Sequence, residues 1–321
     1  MLSFDHVSKA YKLGAFGGSE FLAVRDVSFS VGAGEVVSLI GESGSGKTTI
    51  GRMALRLASV TTGSITCDGT DVSALSGGAL KTYYSSVQGI FQDPFSSYNP
   101  IFKADRIFGL IRDGYFPETP AGEWRDRIEA ALEAVNLNPG QCLHKYPHQL
   151  SGGQLQRLLI ARALLLDIRY LIADEIISML DASTRIDVLN LLAELKGRGL
   201  GILFVTHDLS LGNYISERTV ILRRGRVVEM GDTGRVFGNP LHPYTRMLIA
   251  SVPQLHRSWA EVERELLARG PDARETCLFH DRLHGGEVAG EGQASDPALV
   301  EVEPGHFVGC FELAGEGLAT A

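Results

Sequence analysis

The sequence contains no run of about 18 apolar residues, the length that a membrane-spanning helix requires. Its most apolar stretch, RLLIARALLLDIRYLIAD, is interrupted by Arg162, Asp167 and Arg169. The amino terminus, MLSFDHVSKAYK, lacks the basic-then-apolar pattern of a secretory signal. We therefore expect a chain that does not cross a bilayer and that serves any membrane process by docking onto other subunits.

Cysteine and excess positive charge are also scarce. The four cysteines, Cys67, Cys142, Cys277 and Cys310, form no close pair, which predicts a reduced cytoplasmic protein. The net charge of −8 argues against a nucleic-acid binder, because such proteins concentrate a basic face. The length of 321 residues and the 44% hydrophobic content suffice for about two domain-sized units.

Apolar runs alternate with helical patterns along most of the chain. Four runs are typical of buried strands: VVSLI (Val36 to Ile40), YLIADE (Tyr170 to Glu175), GILFVTH (Gly201 to His207) and TVILRRG (Thr219 to Gly225). Helical patterns follow three of them, which predicts an α/β fold with a mostly parallel sheet. Residues 93–166 indicate a helical insertion between two strands. After Pro253, LHGGEVAGEGQASDPALVEVEPGH is typical of a loop-rich appendage or a partly ordered tail.

A phosphate-binding loop is the strongest local motif. The sequence GESGSGKT matches G-x-x-x-x-G-K-[ST] between a predicted strand and a predicted helix. Glycines let successive backbone N–H groups point at phosphate oxygens, and the helix presents its positive end to the same anion. Lys47 adds a point charge for the β- and γ-phosphates, and the Thr48 hydroxyl is suited to ligate Mg²⁺. The motif alone leaves a kinase, a GTPase, a helicase or a transporter open.

Two downstream motifs narrow the class. Asp174 and Glu175 end an apolar strand, where an aspartate is suited to hold Mg²⁺ and a glutamate to polarise an attacking water. The segment LSGGQ, from Leu150 to Gln154, begins a second helix with an anion-ready amino end. Because the chain already has a phosphate loop, this second site indicates action on a different nucleotide.

In these motifs and their order the chain resembles the ATP-binding-cassette (ABC) ATPases, over about residues 2–253. The resemblance implies a P-loop NTPase core with a mostly parallel sheet, an antiparallel β subdomain, an inserted helical subdomain at about 93–166, and a small C-terminal appendage at 254–321. It also implies dimers that trap ATP between one subunit's phosphate loop and the other's signature segment.

The resemblance assigns roles to individual residues. Glu175, His207, Gln92 and Lys47 are the expected catalytic residues, and Thr48, Gln92 and Asp174 are the expected Mg²⁺ ligands. Tyr11 is expected to stack on the adenine, with an ordinary strand tyrosine as the alternative. The expected nucleotide contacts are Tyr11, Gly41, Glu42, Ser43, Gly44, Ser45, Gly46, Lys47, Thr48, Thr49, Ser151, Gly152, Gly153, Gln154 and Asp181.

The segment after Glu175 departs from the family. ABC ATPases usually have Pro-Thr-Ser-Ala-Leu-Asp at this point, whereas this chain has Ile176, Ile177, Ser178, Met179, Leu180 and Asp181. Every charged or phosphate-facing residue is intact, so hydrolysis is still expected. The departure is expected to affect the rate of hydrolysis and the symmetry of the dimer.

A narrower resemblance concerns the oligopeptide, dipeptide and nickel importers. The segments NPLHPYTRMLIASVP, FQDPFSSYNP and YPHQLSGGQ look like that group, and QLSGGQLQR and RRGRVVEMG are closer to the second ATPase chain of its pair. The resemblance implies import of a peptide or a related small polar solute, at the cytoplasmic face of the membrane. The implied partners are a second ATPase subunit, identical or different, permease subunits, and indirectly an extracytoplasmic solute-binding protein; nucleic acid is not among them.

Many members carry a cysteine-rich tail that holds an iron–sulfur cluster. Here Cys277 and Cys310 match its ends, but Leu283 stands where the second cysteine is expected. Two thiolates are fewer than the usual four, so ATP and Mg²⁺ are expected and an iron–sulfur cluster is not. The alternatives to a transporter subunit are a soluble ABC ATPase acting on ribosomes or nucleic acid, and a weakly hydrolysing regulatory cassette.

Overall fold

In the computed structural model, residues 1–12, 20–252 and 299–309 are described, and they divide into two compact units. The first unit comprises Met1–Val7, Phe29–Val36 and Thr48–Val205, and the second comprises Ser8–Ser28, Val37–Lys47 and the chain from Thr206 onward. The predicted domain limits at 253 and 254 and the cysteines at 277 and 310 lie outside the described residues.

Three neighbouring parallel strands form the core of the first unit. Strands β6 (Val87–Ile90), β7 (Tyr170–Asp174) and β8 (Gly201–Thr206) pair side by side, with Val87 opposite Tyr170 and Tyr170 opposite Gly201. Every residue of β7 and β8 is buried, as expected of parallel strands covered on both faces. The apolar runs predicted as strands at these positions are therefore confirmed.

A helical segment separates β6 from β7, as the sequence predicted. It contains α3 (Arg106–Tyr115), α4 (Ala121–Ala134), α5 (Pro139–Cys142) and α6 (Gly152–Leu164). The buried side chains of α4 include Trp124 and Leu132, so this helix contributes an apolar face to the interior. Whether the segment is a subdomain with limits at 93 and 166 stays a prediction.

A second sheet has four strands, and the residues of its first two strands along the chain are divided between the two units. Its order is β2-β1-β4-β5, from β1 (Leu2–Lys12), β2 (Glu20–Val31), β4 (Thr62–Cys67) and β5 (Thr70–Asp71). Phe4 and Phe29 stack with ring centroids 4.4 Å apart, which packs the first two strands together. The remaining helices of the first unit are α1 (Lys47–Ala54), α2 (Gly77–Ser86) and α7 (Ala182–Gly197).

The second unit is built on a mixed sheet. Strand β3 (Val36–Ile40) pairs in parallel with β9 (Arg218–Arg223), and β9 pairs antiparallel with β10 (Arg226–Asp232). Helices α8 (Leu209–Ile215), α9 (Thr233–Gly238) and α10 (Pro243–Ala250) supply Leu209, Val236, Tyr244 and Leu248 to an apolar cluster with Ile40. Within the described residues no helix is long and apolar enough to cross a membrane.

The carboxyl-terminal part of the second unit departs from the prediction. Strands β11 (Leu299–Glu303) and β12 (His306–Gly309) form a hairpin, and β12 pairs antiparallel with β10. The sequence analysis placed residues 299–306 in a loop-rich or partly ordered tail. The two strands were not predicted at these residues, although Val300 and Val302 alternate with glutamates before a Pro-Gly turn, which is a strand and hairpin signal.

Candidate functional site

The phosphate loop lies in the second unit and is held by close backbone approaches. A Cβ atom at Gly41 would lie 2.1 Å from the carbonyl oxygen of Leu222. Gly46 has a φ of +106°, and a Cβ there would lie 2.5 Å from the carbonyl oxygen of Ala23. Only glycine fits these two positions, so the motif glycines fix the path of the loop as well as its conformation.

The Lys47 side chain is buried inside this loop. Its Nζ donates hydrogen bonds to the carbonyl oxygens of Gly41, at 2.7 Å, and Glu42, at 2.8 Å. Nearby, the buried Ser45 hydroxyl has no hydrogen-bond partner among the described residues. A buried ammonium beside an unpaired hydroxyl is a cradle suited to an anion with several oxygens, such as a phosphate.

In the first unit, the helix after the loop meets the end of strand β7. Gly51 allows this approach, because a Cβ there would lie 3.1 Å from Cγ2 of Ile172. The Thr48 hydroxyl donates to Oδ1 of Asp174 at 3.3 Å, although 126 residues separate the two. The structure therefore brings together two residues predicted to ligate Mg²⁺.

The ligand chemistry of this pair suits magnesium. A hydroxyl and a carboxylate are hard oxygen donors, and Mg²⁺ commonly takes one or two protein ligands with substrate phosphates and waters. Within the part of the chain that the structure describes, no group of three or more His, Cys, Asp and Glu side chains forms a candidate metal site. The pair accordingly fits a nucleotide-associated Mg²⁺.

Glu175 has an unusual backbone conformation. Its φ is +51°, in the left-handed region that non-glycine residues seldom adopt, and its N–H donates to the Val205 carbonyl at 2.9 Å. Ser178 donates to the Glu175 carbonyl through both its N–H and its hydroxyl. Such conformations cluster at functional sites, where surrounding contacts hold them.

The unusual residues after Glu175 are interior residues. Ile176 and Ile177 are 1% and 2% exposed. Two apolar side chains therefore pack where the family has Pro-Thr, and the half-exposed Glu175 carboxylate precedes them. The departure changes packing beneath the predicted catalytic residue and removes no charged group.

The signature segment begins helix α6 with a reciprocal cap. The Ser151 hydroxyl accepts from the Gln154 N–H at 3.2 Å, and the Ser151 N–H donates to Oε1 of Gln154 at 2.9 Å. Ser151 itself is exposed, and Gly152 is partly so. The helix start is thus formed and accessible, as binding to a nucleotide on another subunit requires.

Asp181 caps the next helix of this unit. Its carboxylate accepts from the hydroxyls of Ser183 and Thr184 and from the Thr184 N–H, and these hydrogen bonds lower its pKa. Gly153 of the signature segment lies close by, because a Cβ at Gly153 would be 2.5 Å from Cγ2 of Thr184. The structure therefore brings the signature helix against the start of α7.

Three other predicted residues are exposed, and no contact in the structure tests their roles. Gln92 follows strand β6, and His207 follows strand β8 directly before Asp208, the N-cap of α8. Tyr11 lies on β1 with Nζ of Lys9 5.0 Å from its ring centroid. The adenine-stacking role of Tyr11, the catalytic role of His207 and the catalytic and magnesium roles of Gln92 stay predictions. The nucleotide contacts expected of Ser43, Gly44 and Thr49 also stay predictions.

Sequence reasoning missed a buried polar group beside the phosphate loop. The Tyr244 hydroxyl accepts a hydrogen bond from the Glu42 N–H at 3.3 Å. The same group includes Glu229, which hydrogen-bonds to both His242 and His306. The available signal was the HPY sequence at His242–Tyr244, which served above only to mark a family segment.

Comparisons with known proteins agree with this geometry. The family model described as "ABC transporter" matches residues 24–178, and that described as "Oligopeptide/dipeptide transporter, C-terminal region" matches residues 228–284. A putative peptide import ATP-binding protein of Brucella ovis is 42% identical over 295 residues, covering 89% of this chain and 90% of that protein.

Further relatives agree in sequence and in structure. The oligopeptide transport ATP-binding protein OppF of Streptococcus pyogenes serotype M1 is 38% identical, covering 91% of this chain and 90% of its own length. Among solved structures, the dimeric ATP-binding cassette MJ0796 bound to ADP and Pi has a TM-score of 0.65 at 28% identity, covering 73% of this chain and 99% of that one.

Proposed function

The chain belongs to the ABC transporter ATP-binding proteins, in their oligopeptide and dipeptide import group, and we propose that it binds and hydrolyses ATP to power uptake of peptides or a related small polar solute. The contact of Thr48 with Asp174 carries the proposal, because it joins the phosphate-loop helix to the acidic strand end. The names of the relatives favour a transporter over a ribosome- or nucleic-acid-directed ATPase.

The proposed chemistry assigns work to this chain's own side chains. The phosphate-loop N–H groups and Lys47 bind the β- and γ-phosphates, and Thr48 and Asp174 hold Mg²⁺, with Gln92 as a further ligand. When bound, Mg²⁺ would neutralise charge on the phosphate oxygens. Glu175 accepts a proton from the water that attacks the γ-phosphorus, the bond from that phosphorus to the bridging oxygen breaks, and ADP leaves with that oxygen. His207 donates a hydrogen bond to the γ-phosphate. The adenine stacks on Tyr11.

Complete sites require a second ATPase subunit, identical or different. In the proposed dimer, the amino end of α6, at Ser151 and Gly152, meets the γ-phosphate bound by the partner's phosphate loop. The exposure of Ser151 and the partial exposure of Gly152 support this arrangement. The capping box of α6 fixes the N–H groups of the first turn before nucleotide arrives. ATP binding then favours the closed pair, and hydrolysis lets it reopen.

Exposed apolar residues support docking onto membrane subunits. Phe95, Ile101 and Phe102 follow Gln92 closely and are 47%, 76% and 41% exposed, whereas large apolar side chains of a soluble surface are usually scattered. Arg106 lies over the Phe102 ring at 3.5 Å. We propose that these residues contact the cytoplasmic side of permease subunits and so hold the chain peripherally at the membrane. A solute-binding protein acts on the chain only indirectly.

Replacing Lys47 with methionine tests the function. Met keeps the aliphatic stem but loses the charge that phosphates require, so ATP affinity and phosphate release should fall at least tenfold. Lys81→Met is the matched control, because Lys81 is exposed and contacts only the Tyr115 ring among the contacts described. Fluorescent-nucleotide binding and phosphate release measure both variants.

The same two variants test the transport assignment in cells. Uptake of a labelled peptide should fall to background with Lys47→Met in place of the native chain and should persist with Lys81→Met. Equal uptake with both variants would contradict the proposal.

A further inference from the structure

Glu229 and His306 form a fully buried polar pair in the second unit. Both side chains are 0% exposed, and Nε2 of His306 lies 2.8 Å from Oε1 of Glu229. A buried carboxylate without partners is strongly disfavoured, so this pair needs its surroundings to satisfy it. Glu229 lies on β10 and His306 begins β12, so the pair joins the carboxyl-terminal hairpin to the sheet at this point.

The same carboxylate fixes the segment before helix α10. Its Oε1 accepts from the Leu241 N–H at 2.8 Å, and its Oε2 accepts from the His242 N–H at 2.9 Å. Three donors therefore converge on one carboxylate, from two separate parts of the chain. Multiple hydrogen bonds to a buried charge hold the donors in one geometry.

His242 passes this constraint to the next residues. Its Nδ1 accepts from the Tyr244 N–H at 3.1 Å and so caps α10, with Pro243 in the first turn. Burial, and then the charge of Arg223, lower the pKa of His242 to about 3. The imidazole is therefore neutral at physiological pH, which leaves Nδ1 able to accept.

Tyr244 connects the helix to the phosphate loop. Its side chain is 2% exposed, the Arg223 guanidinium lies 4.7 Å from its ring centroid, and its hydroxyl accepts from the Glu42 N–H at 3.3 Å. On the other side of the same residue, the Glu42 carbonyl accepts from Lys47. Both backbone polar groups of Glu42 are thus held, one by α10 and one by the lysine that contacts phosphate.

From these contacts we propose that Tyr244 is a positioning residue for the phosphate loop, and that the carboxyl-terminal hairpin supports it through His306, Glu229 and His242. The hydroxyl directs the Glu42 N–H away from the anion cradle and fixes the first turn of the loop before nucleotide binds. Preorganisation of this kind strengthens binding without a direct contact to ligand. The proposal rests on the proposed ATPase function.

The direct test replaces Tyr244 with phenylalanine in the full-length chain. The ring and its packing remain, but the Glu42 N–H loses its partner. We expect KM for ATP to rise about fivefold, with kcat changed less than twofold, because the loss acts on ground-state binding. Tyr214→Phe is the matched control, since Tyr214 is 60% exposed on α8 of the same unit. A KM unchanged in Tyr244→Phe would overturn the proposal.

A second variant tests the support from the hairpin. His306→Asn shortens the side chain that contacts Glu229 and leaves Tyr244 in place. It should raise KM for ATP in the same direction by a smaller factor, and in the double variant the two effects should be less than multiplicative, because they act through one path. A multiplicative double variant, or a normal KM in His306→Asn, would contradict the hairpin's part.

Two measurements keep the outcomes separable. Circular dichroism and thermal unfolding establish that each variant is folded before KM is read. If the unmodified chain neither binds nor hydrolyses ATP, the proposed function fails. If it does both and Tyr244→Phe matches it in KM, the positioning role alone fails.

Discussion

Thr48 and Asp174 show how single atoms constrain the chemistry of this chain. The hydroxyl and the carboxylate lie 3.3 Å apart, so the two oxygen donors are close together. If they ligate Mg²⁺ as proposed, the site requires little rearrangement when the ion binds with nucleotide. The hydroxyl itself, rather than the size of the side chain, is what the metal needs.

Exchanging Thr48 for valine or serine separates these properties. Thr48→Val keeps the shape and removes the hydroxyl, so the Mg²⁺ concentration for half-maximal phosphate release should rise at least tenfold. Thr48→Ser keeps the hydroxyl and should stay within about threefold of the unmodified chain. A Mg²⁺ titration of ATPase activity measures both, and a valine variant with an unchanged titration would exclude Thr48 as a ligand.

Local motifs made this part of the site predictable. The glycine spacing of the phosphate loop dictates a backbone path within a few residues, and the apolar run ending in Asp174 and Glu175 dictates a strand with acids at its end. The contact between Tyr244 and Glu42 was not predictable in this way. It joins residues 202 positions apart and depends on how α10 packs, which no short pattern encodes.

At the scale of elements, the signature helix depends on close packing against α7. A Cβ at Gly153 would lie 2.5 Å from Cγ2 of Thr184, while one at Gly152 would meet nothing nearer than 3.8 Å. Thr184 is held, because its hydroxyl and its N–H both donate to Asp181. The two adjacent glycines therefore differ sharply in the room around them.

Alanine substitutions test this difference. Gly153→Ala should reduce the free energy of unfolding by about 1–3 kcal/mol through overpacking. Gly152→Ala should change it by less than about 0.5 kcal/mol. Urea unfolding of both variants measures the contrast. Adding Thr184→Ser to Gly153→Ala removes the clashing methyl and keeps the hydroxyl, so it should restore most of the loss; no restoration would place the clash elsewhere.

The hairpin of β11 and β12 shows where element prediction failed. Its Pro304-Gly305 turn has Gly305 at a φ of +73°, and Arg235 donates to the Pro304 carbonyl at 2.7 Å. The alternating valines were a strand signal, but the preceding glycine-rich composition obscured it. Its anchor, the buried pair of Glu229 and His306, is a long-range contact that the sequence alone does not reveal.

At the scale of the whole molecule, the chain is an ATP-binding subunit of the ABC transporter family. Two features could be predicted from the sequence. The class of nucleotide-binding protein is predictable because several unrelated motifs occur in the right order. The mostly parallel core is predictable because apolar runs, which are fully buried in the structure, alternate with helices. The solute does not follow from the sequence, because no residue of this chain is assigned to contact it.

Glu175 is the proposed general base, and the departure from the family sequence begins directly after it, at Ile176 and Ile177. Both isoleucines are buried, and the carboxylate remains half-exposed beside them. A general base of this kind contributes about 10²–10⁴-fold to rate. The departure from the family sequence in this segment therefore leaves in place the carboxylate that is proposed to activate water.

The most direct measurement is the rate of phosphate release by the unmodified chain and by Glu175→Gln, at saturating Mg-ATP. The glutamine keeps the size of the side chain and cannot accept the proton of the attacking water. If Glu175 is the general base, the rate of phosphate release by Glu175→Gln should be lower by about 100-fold or more, with ATP binding retained. Release by Glu175→Gln within twofold of the unmodified chain would contradict this role.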